Sequence, residues 1–311
     1  MESSIPVLDV SAISLIHVDP GKSHYDKVGA QLKDAFQTWG FAYLKGHGIS
    51  SKIVLDCMQT ARTFFDLPME HKETFSRGVE RIHGYSAIGR EVLENKDIVE
   101  FKESFDVHSL DKRQLLGQKE FDGPIQALSH QTVILAQRLL QCLAKDLGIQ
   151  PKDMLQSHSN MFGQGNATSL RLLHYPPIDL KNSKHQSITR CGEHSDYGGL
   201  TLLFQDNHSG LEVRRLDGQW IPVPPIPGTI VVNIGEILQL WSGGRYRATP
   251  HRVRGGLDSE STSRYSIATF IHPNNDTIIG PFGSDGMSET NGASKTALDH
   301  VEQRFKDTYT P

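Results

Sequence analysis

The chain has 311 residues, 37% of them apolar and 22% charged, and a formal net charge of −4. These values suit a soluble globular protein, and without Lys/Arg blocks interleaved with aromatics a nucleic-acid partner is not expected. No run approaches the roughly 18 apolar residues of a membrane span, and MESSIPVLDV lacks the basic and apolar regions of a signal peptide, so the cytoplasm is the expected location.

Cys57, Cys142 and Cys191 are widely spaced with no CxxC, which argues against a disulfide framework or structural zinc and for a reducing compartment. Cys191 lies three residues before His194, yet reads more simply as a buried free thiol than as a ligand.

In chain order, Ile5 to Val10 reads as a short strand that Pro6 confines to an edge or a strand start. In DKVGAQLKDAFQTWG, Val28, Leu32, Ala35, Phe36 and Trp39 recur at helical spacing, with Gly40 as the stop. FAYLKGHGI follows as a strand ending in a glycine turn, where His47 is expected to fix the loop by a hydrogen bond rather than to bind metal. Residues 51 to 65 form a second amphipathic helix. Residues 76 to 123 are charged and punctuated by glycine, and read as irregular structure laid across a cavity mouth, with Tyr85 and Phe105 as candidates to face a ligand.

The longest helix is expected from about Gly123 to Leu147, on the stripe Ile125, Leu128, Leu135, Leu139, Leu143 and Leu147, ended by Gly148. A short helix opens at Pro151. From Ser169 the period changes to short strands: LRLLHYP, LTLLFQ, LEVRRL, QWIPV, TIVVNIG, PHRVRG and RYSIATFI, with Asp217-Gly218 as a hairpin signal. Such a run implies a sandwich, jelly roll or barrel. The tail closes with a terminal helix around Leu298 to Phe305.

The chemistry concentrates in GEHSDYGGLTLLFQD, residues 192 to 206. His194 and Asp196 are two apart, and on an extended segment both point to one face. His251, in TPHRV, is a third ligand candidate on a later strand. Two imidazoles and one carboxylate leave an open face on a non-haem Fe(II) ion. The same set can hold zinc, which has no redox chemistry. In RYSIATF, Arg264 and Ser266 share a strand face that Ala268 and Phe270 continue. A guanidinium fork beside a hydroxyl suits one carboxylate of a dicarboxylate. The plainer reading, that Arg264 pairs with an acid of the protein, stays open at this point.

With these motifs in hand, the sequence resembles the 2-oxoglutarate- and Fe(II)-dependent oxygenases of the group that includes isopenicillin N synthase and the flavonoid and gibberellin oxygenases. IPVLDVSAI, WGFAYLKGHGI and FFDLPMEHK resemble the N-terminal region of that group, and residues 168 to 275, with HSD, WSGGRYRATPHRV and RYS in order, resemble its core. The resemblance implies an α+β fold: a double-stranded β-helix (jelly roll) core flanked by helices, with a helix-rich N-terminal region. The expected layout is an N-terminal region over 1–120, connecting helices over 121–167, the catalytic core over 168–275 and a tail over 276–311.

It implies His194, Asp196 and His251 as iron ligands, and Arg264, Ser266 and Tyr175 as cosubstrate contacts. Phe270, Arg171 and Phe105 fall at substrate-facing positions. The cofactors implied are Fe(II), 2-oxoglutarate as cosubstrate and O2, with ascorbate as a candidate reductant. The reaction implied is oxidation, foremost hydroxylation, of a small organic molecule with release of succinate and CO2. Two departures stand out: Leu173 occupies a position where plant members often have asparagine, and the stretch from His251 to Arg264 is longer than usual, suggesting an extended turn at Gly255-Gly256. Three alternatives remain: an iron oxidase or cyclase without 2-oxoglutarate, a non-catalytic small-molecule-binding member, and a zinc hydrolase. The oligomeric state is not written in the sequence.

Overall fold

The computed structural model describes residues 4–77, 83–91, 98–110, 116, 118–178, 188–254, 262–280 and 295–308. The first half of the chain forms β1 (Val7–Asp9), α1 (Lys22–Thr38), β2 (Phe41–Lys45), α2 (Ser51–Phe65) and α3 (Met69–Glu73). These are followed by β3 (Gly84–Ser86), β4 (Val99–Glu100), β5 (Glu103–Val107), α4 (Lys119–Ala144) and α5 (Pro151–Gln156). The second half forms β6 (Ser169–Tyr175), β7 (Ile188–Thr189), β8 (Cys191–His194), β9 (Leu200–Gln205), β10 (Leu211–Arg214), β11 (Trp220–Pro222) and β12 (Thr229–Ile234). Last come α6 (Glu236–Trp241), β13 (His251–Val253), β14 (Arg264–Ile271) and α7 (Ala297–Thr308).

Two sheets face each other across the interior. The larger has eight strands in the order β1-β2-β12-β9-β14-β6-β5-β3, and the smaller has four, β11-β10-β13-β8. Strand periodicity decides what each face holds. Leu170 and Leu172 of β6, Leu200 and Leu202 of β9, and Ile267 and Ile271 of β14 join one apolar cluster with the stripes of α1, α2 and α4. The alternate residues Leu173, Tyr175 and Ala268 join a second cluster with Phe41, Val213 and Val253, between the sheets. The result is a helix-flanked double-stranded β-helix, as the family resemblance implies.

Several local expectations are met for the physical reasons given. Edge strand β1 carries Pro6 just before it and pairs only with β2. The amide of Ile49 donates to His47 Nδ1 at 3.1 Å, so this histidine fastens the turn. Gly218 sits at φ +86° in the turn between β10 and β11, a conformation that disfavours other residues. The turn expected at Gly255-Gly256 lies outside the described residues.

Two expectations are corrected. Helix α4 starts a turn earlier than Gly123, because buried Phe121 and the acidic Glu120 and Asp122 extend it, and Pro124 is accommodated inside. The stretch 76–123 is also less irregular than its composition suggests. Strand β5 pairs with β6 from Glu103↔His174 to Val107↔Leu170, and β3 pairs with β5. All five residues of β5 are buried, so ESFDV shows no inside–outside alternation.

Tyr85 and Phe105 pack in the helix-side core and are not among the residues that line the cavity described below. The Phe105 ring is 1% exposed and lies 4.8 Å from Phe64 and 5.3 Å from Phe121, in the helix-side core. Tyr85 packs on Phe64 at 6.0 Å and donates to Glu103 at 2.5 Å.

Candidate active site

The metal candidates converge because β8 and β13 are neighbours. His194 and His251 are directly opposite in the antiparallel register, with ring centroids 4.3 Å apart. Asp196 follows β8 by two residues, and its Oδ1 lies 3.9 Å from His194 Nε2 and 3.7 Å from His251 Nε2. Among the described residues this is the one group of three or more His/Cys/Asp/Glu whose ligand atoms all lie within 4.8 Å of one another. The loop beyond it approaches the end of β14 closely at Gly198. A Cβ on Gly198 would come within 2.7 Å of the Ile271 carbonyl, so this glycine lets the loop dock on the end of β14.

Each donor is oriented from behind. His194 Nδ1 donates to the Gly192 carbonyl at 2.9 Å, and His251 Nδ1 to the Thr249 carbonyl at 3.2 Å. A carbonyl only accepts, so Nδ1 of each ring carries a proton and Nε2 is the nitrogen turned toward Asp196. Burial and the neighbouring His194 hold the His251 imidazole well below its ordinary pKa. For Asp196, burial opposes ionisation, but His251, His194, Thr201 and Asn233 outweigh it and hold the carboxyl below its usual range. Thr201 Oγ1 and Asn233 Nδ2 both donate to Oδ2, at 2.5 and 2.6 Å, leaving Oδ1 to face the imidazoles. Two imidazole nitrogens and a carboxylate oxygen, all within 4.8 Å of one another, fit an octahedral Fe(II) with an open face.

Thr201 and Asn233 escaped the sequence reading, since neither carries a spacing signal toward Asp196. Loss of such a supporting bond lowers metal affinity about ten- to hundredfold. Asn233→Leu is accordingly expected to weaken Fe(II) binding by that order, read by anaerobic Fe(II) titration; unaltered affinity would exclude a supporting role.

Cys191 also lines the cavity, where burial pushes its thiol up to about 12. It is a protonated free thiol, which agrees with the plainer reading.

From the triad a cavity of about 130 Å³ runs between the sheets, lined by Arg264, Ser266, Ala268 and Phe270 along one face of β14. The Arg264 guanidinium is 1% exposed. It donates to Gln205 Oε1 at 2.9 Å, Ser266 Oγ at 3.3 Å and the His208 carbonyl at 3.3 Å, and lies 5.0 Å from the Tyr175 ring. Each of these hydrogen-bond partners is a neutral oxygen. Tyr175 hydrogen-bonds Ser266, and burial raises its phenol, so it stays protonated. Leu173 lines the same stretch and makes it apolar there.

Phe270 is half-buried on the cavity wall. Arg171 lines it too, but as part of an ion-pair network: its Nε and Nη2 donate to Asp106 at 2.6 and 2.9 Å. Its charge is thus matched inside the protein. Lys102, His108 and His272 also line the cavity and were missed. His272 was within reach of the sequence, because the even-numbered face of β14 continues to it two residues past Phe270. Lys102 and His108 flank the unrecognised β5.

Comparison with known proteins agrees with this arrangement. The family model described as 2OG-Fe(II) oxygenase superfamily matches residues 167–273, and the one described as non-haem dioxygenase in morphine synthesis N-terminal matches residues 5–128. Homoarginine-6-hydroxylase of Glycine max is 32% identical over 303 residues, covering 90% of this chain and 88% of that protein. Oxoglutarate-dependent flavonoid 7-O-demethylase 1 of Ocimum basilicum is 31% identical, covering 94% of this chain and 75% of that one. A full-length Neurospora crassa protein crystallised in complex with alpha-KG superimposes with a TM-score of 0.82 at 29% identity, covering 96% of this chain and 95% of that one. With likeness of this degree along almost its entire length, the chain belongs to the 2-oxoglutarate- and Fe(II)-dependent oxygenases and is an enzyme of the 2-oxoglutarate-dependent dioxygenase type.

Proposed function

We propose that His194, Asp196 and His251 hold Fe(II), that Arg264 and Ser266 bind the distal carboxylate of 2-oxoglutarate with Tyr175 beside them, and that the enzyme hydroxylates a small organic molecule in the cytoplasm. Residues 168–275 form the catalytic core in this reading. The observation that carries it is Arg264, a buried cation on the cavity wall with no carboxylate in ion-pair range among the described residues. A buried charge without its partner destabilises by roughly 3–5 kcal/mol, and a dicarboxylate in the cavity supplies the counter-charge. The guanidinium fork takes two oxygens and Ser266 can donate a further bond.

When bound, the iron supplies the redox chemistry that couples decarboxylation of 2-oxoglutarate, with O2, to oxidation of the substrate. The chain's own part is orientation and dryness. His194 and His251 present lone pairs, Asp196 presents one ionised oxygen, and Phe41, Leu203, Leu211 and Val253 keep water from the interior. Phe270 is the aromatic surface offered to the substrate. Three buried free cysteines fit a reducing compartment. The similar Neurospora crassa protein has been crystallised with thymine and with 5-formyluracil, which supports a small substrate here.

The test is succinate formation. Purified enzyme with Fe(II), O2, 2-oxoglutarate and ascorbate is expected to release succinate faster when a suitable small molecule is added. Product formation that does not consume 2-oxoglutarate, or turnover under nitrogen with zinc, would overturn the proposal.

A further inference from the structure

Arg264 is buried, yet only part of its hydrogen-bonding capacity is used within the protein. A guanidinium has five N–H donors. Among the described residues, Nη2 donates to Gln205 Oε1 at 2.9 Å, Nη1 to Ser266 Oγ at 3.3 Å and Nε to the His208 carbonyl at 3.3 Å. One N–H on each terminal nitrogen is left over. Those two form the fork that a carboxylate takes bidentately.

Gln205 sets this arrangement from behind. It lies opposite Ser266 in the register of β9 and β14, so its side chain shares the face that holds Ser266, Arg264 and, on β6, Tyr175. Unlike those three, it is not among the residues that line the cavity. Its Nε2 donates to the Val223 carbonyl, just past β11, at 3.3 Å. A carbonyl only accepts, so the amide nitrogen must face Val223 and the amide oxygen must face Arg264. Thr201, on the same face of β9, donates to Asp196. One strand face thus steadies both the metal site and the arginine.

The next residue has the opposite character. Asp206 turns toward α2, where Arg62 lies 3.8 Å away, and accepts from the amides of Tyr265 at 2.8 Å and His208 at 2.9 Å. Alternation along the chain therefore sets an amide, not a carboxylate, against Arg264. The difference matters for charge. A carboxylate there would neutralise the guanidinium, whereas an amide accepts its hydrogen bond and leaves the charge in place.

Resting on the cosubstrate reading above, we infer that Gln205 is a positioning residue that makes the site selective for a 2-oxo acid with a second carboxylate. It aims the Arg264 fork into the cavity and leaves the charge of that fork for the distal carboxylate.

The test is a binding titration. Anaerobic enzyme loaded with Fe(II) is titrated with 2-oxoglutarate and with 2-oxopentanoate, which has the same carbon chain but no distal carboxylate. A visible charge-transfer band reports chelation of either acid. Wild type is expected to prefer 2-oxoglutarate by about tenfold or more. Gln205→Glu gives Arg264 an internal acid. It is expected to raise the 2-oxoglutarate Kd about tenfold or more and to leave that of 2-oxopentanoate within about twofold. Gln205→Met loses the same bond to Val223 but adds no charge, so it should raise the 2-oxoglutarate Kd by a smaller factor and keep the preference. A glutamine that only supports the fold would make the two variants alike and shift both acids equally.

An unchanged 2-oxoglutarate Kd in Gln205→Glu, or equal shifts of both acids in the two variants, overturns the inference, while the wild-type preference still upholds the role of Arg264. A thermal melt accompanies each titration. If Gln205→Glu does not fold, Gln205→Met decides: a raised 2-oxoglutarate Kd with 2-oxopentanoate unmoved supports the inference, and an unmoved 2-oxoglutarate Kd overturns it. If wild type binds both acids alike, or no band forms, the cosubstrate reading fails and the inference goes with it.

Discussion

His251→Ala is expected to abolish Fe(II)-dependent succinate release. The reason is arithmetic in the donor set. The centre has three protein donors, and His251 is the one that comes from β13 rather than from β8 and its following loop. Without it, His194 and Asp196 offer a two-point site open on the side where the second imidazole stood. Supporting bonds alone are worth about ten- to hundredfold in affinity, so a direct donor is worth more. The His251 ring also packs edge-on against Phe41 at 5.3 Å, so some stability is lost with it. Iron content, succinate release and a thermal melt should be measured on the same preparation. A folded variant that retains turnover would remove His251 from the centre.

Arg264→Ala is expected to raise the 2-oxoglutarate requirement by about tenfold or more, because one charge-assisted hydrogen bond contributes about 1.5–3 kcal/mol and tenfold is about 1.4 kcal/mol. Arg264→Lys keeps the charge but loses the planar fork, and should fall between wild type and alanine. The measurement is the dependence of succinate release on 2-oxoglutarate concentration. A merely structural arginine, holding Gln205 and the His208 carbonyl, would lower the melting temperature and leave the saturation curve where it was. That outcome would sink the assignment.

Some of this centre is written locally in the chain. The two-residue spacing of His194 and Asp196, and the face shared by Arg264, Ser266, Ala268 and Phe270, follow from strand period alone, and all six line one cavity. The α4 stripe and the turn at Gly218 are likewise local chemistry. Identifying the function took more than spacing: the ordered motifs and their family resemblance joined His251 to His194 and Asp196 and singled out Tyr175, neither of which a short-range pattern ties to that pair.

The tertiary structure decided the rest. Period two carries information only where the two faces of a strand differ in environment, and β5 is buried on both, so ESFDV read as irregular. Its pairing with β6 then sent Phe105 to the helices and set Asp106 against Arg171, turning an expected substrate contact into half of an ion pair. Thr201 and Asn233 meet Asp196 only because β9 and β12 lie side by side in the main sheet. The amino-acid order alone determined which residue types were available and which face of a strand they shared. Which charges ended up matched depended on contacts between strands far apart in the chain, because burial and pairing energies belong to neighbours in space.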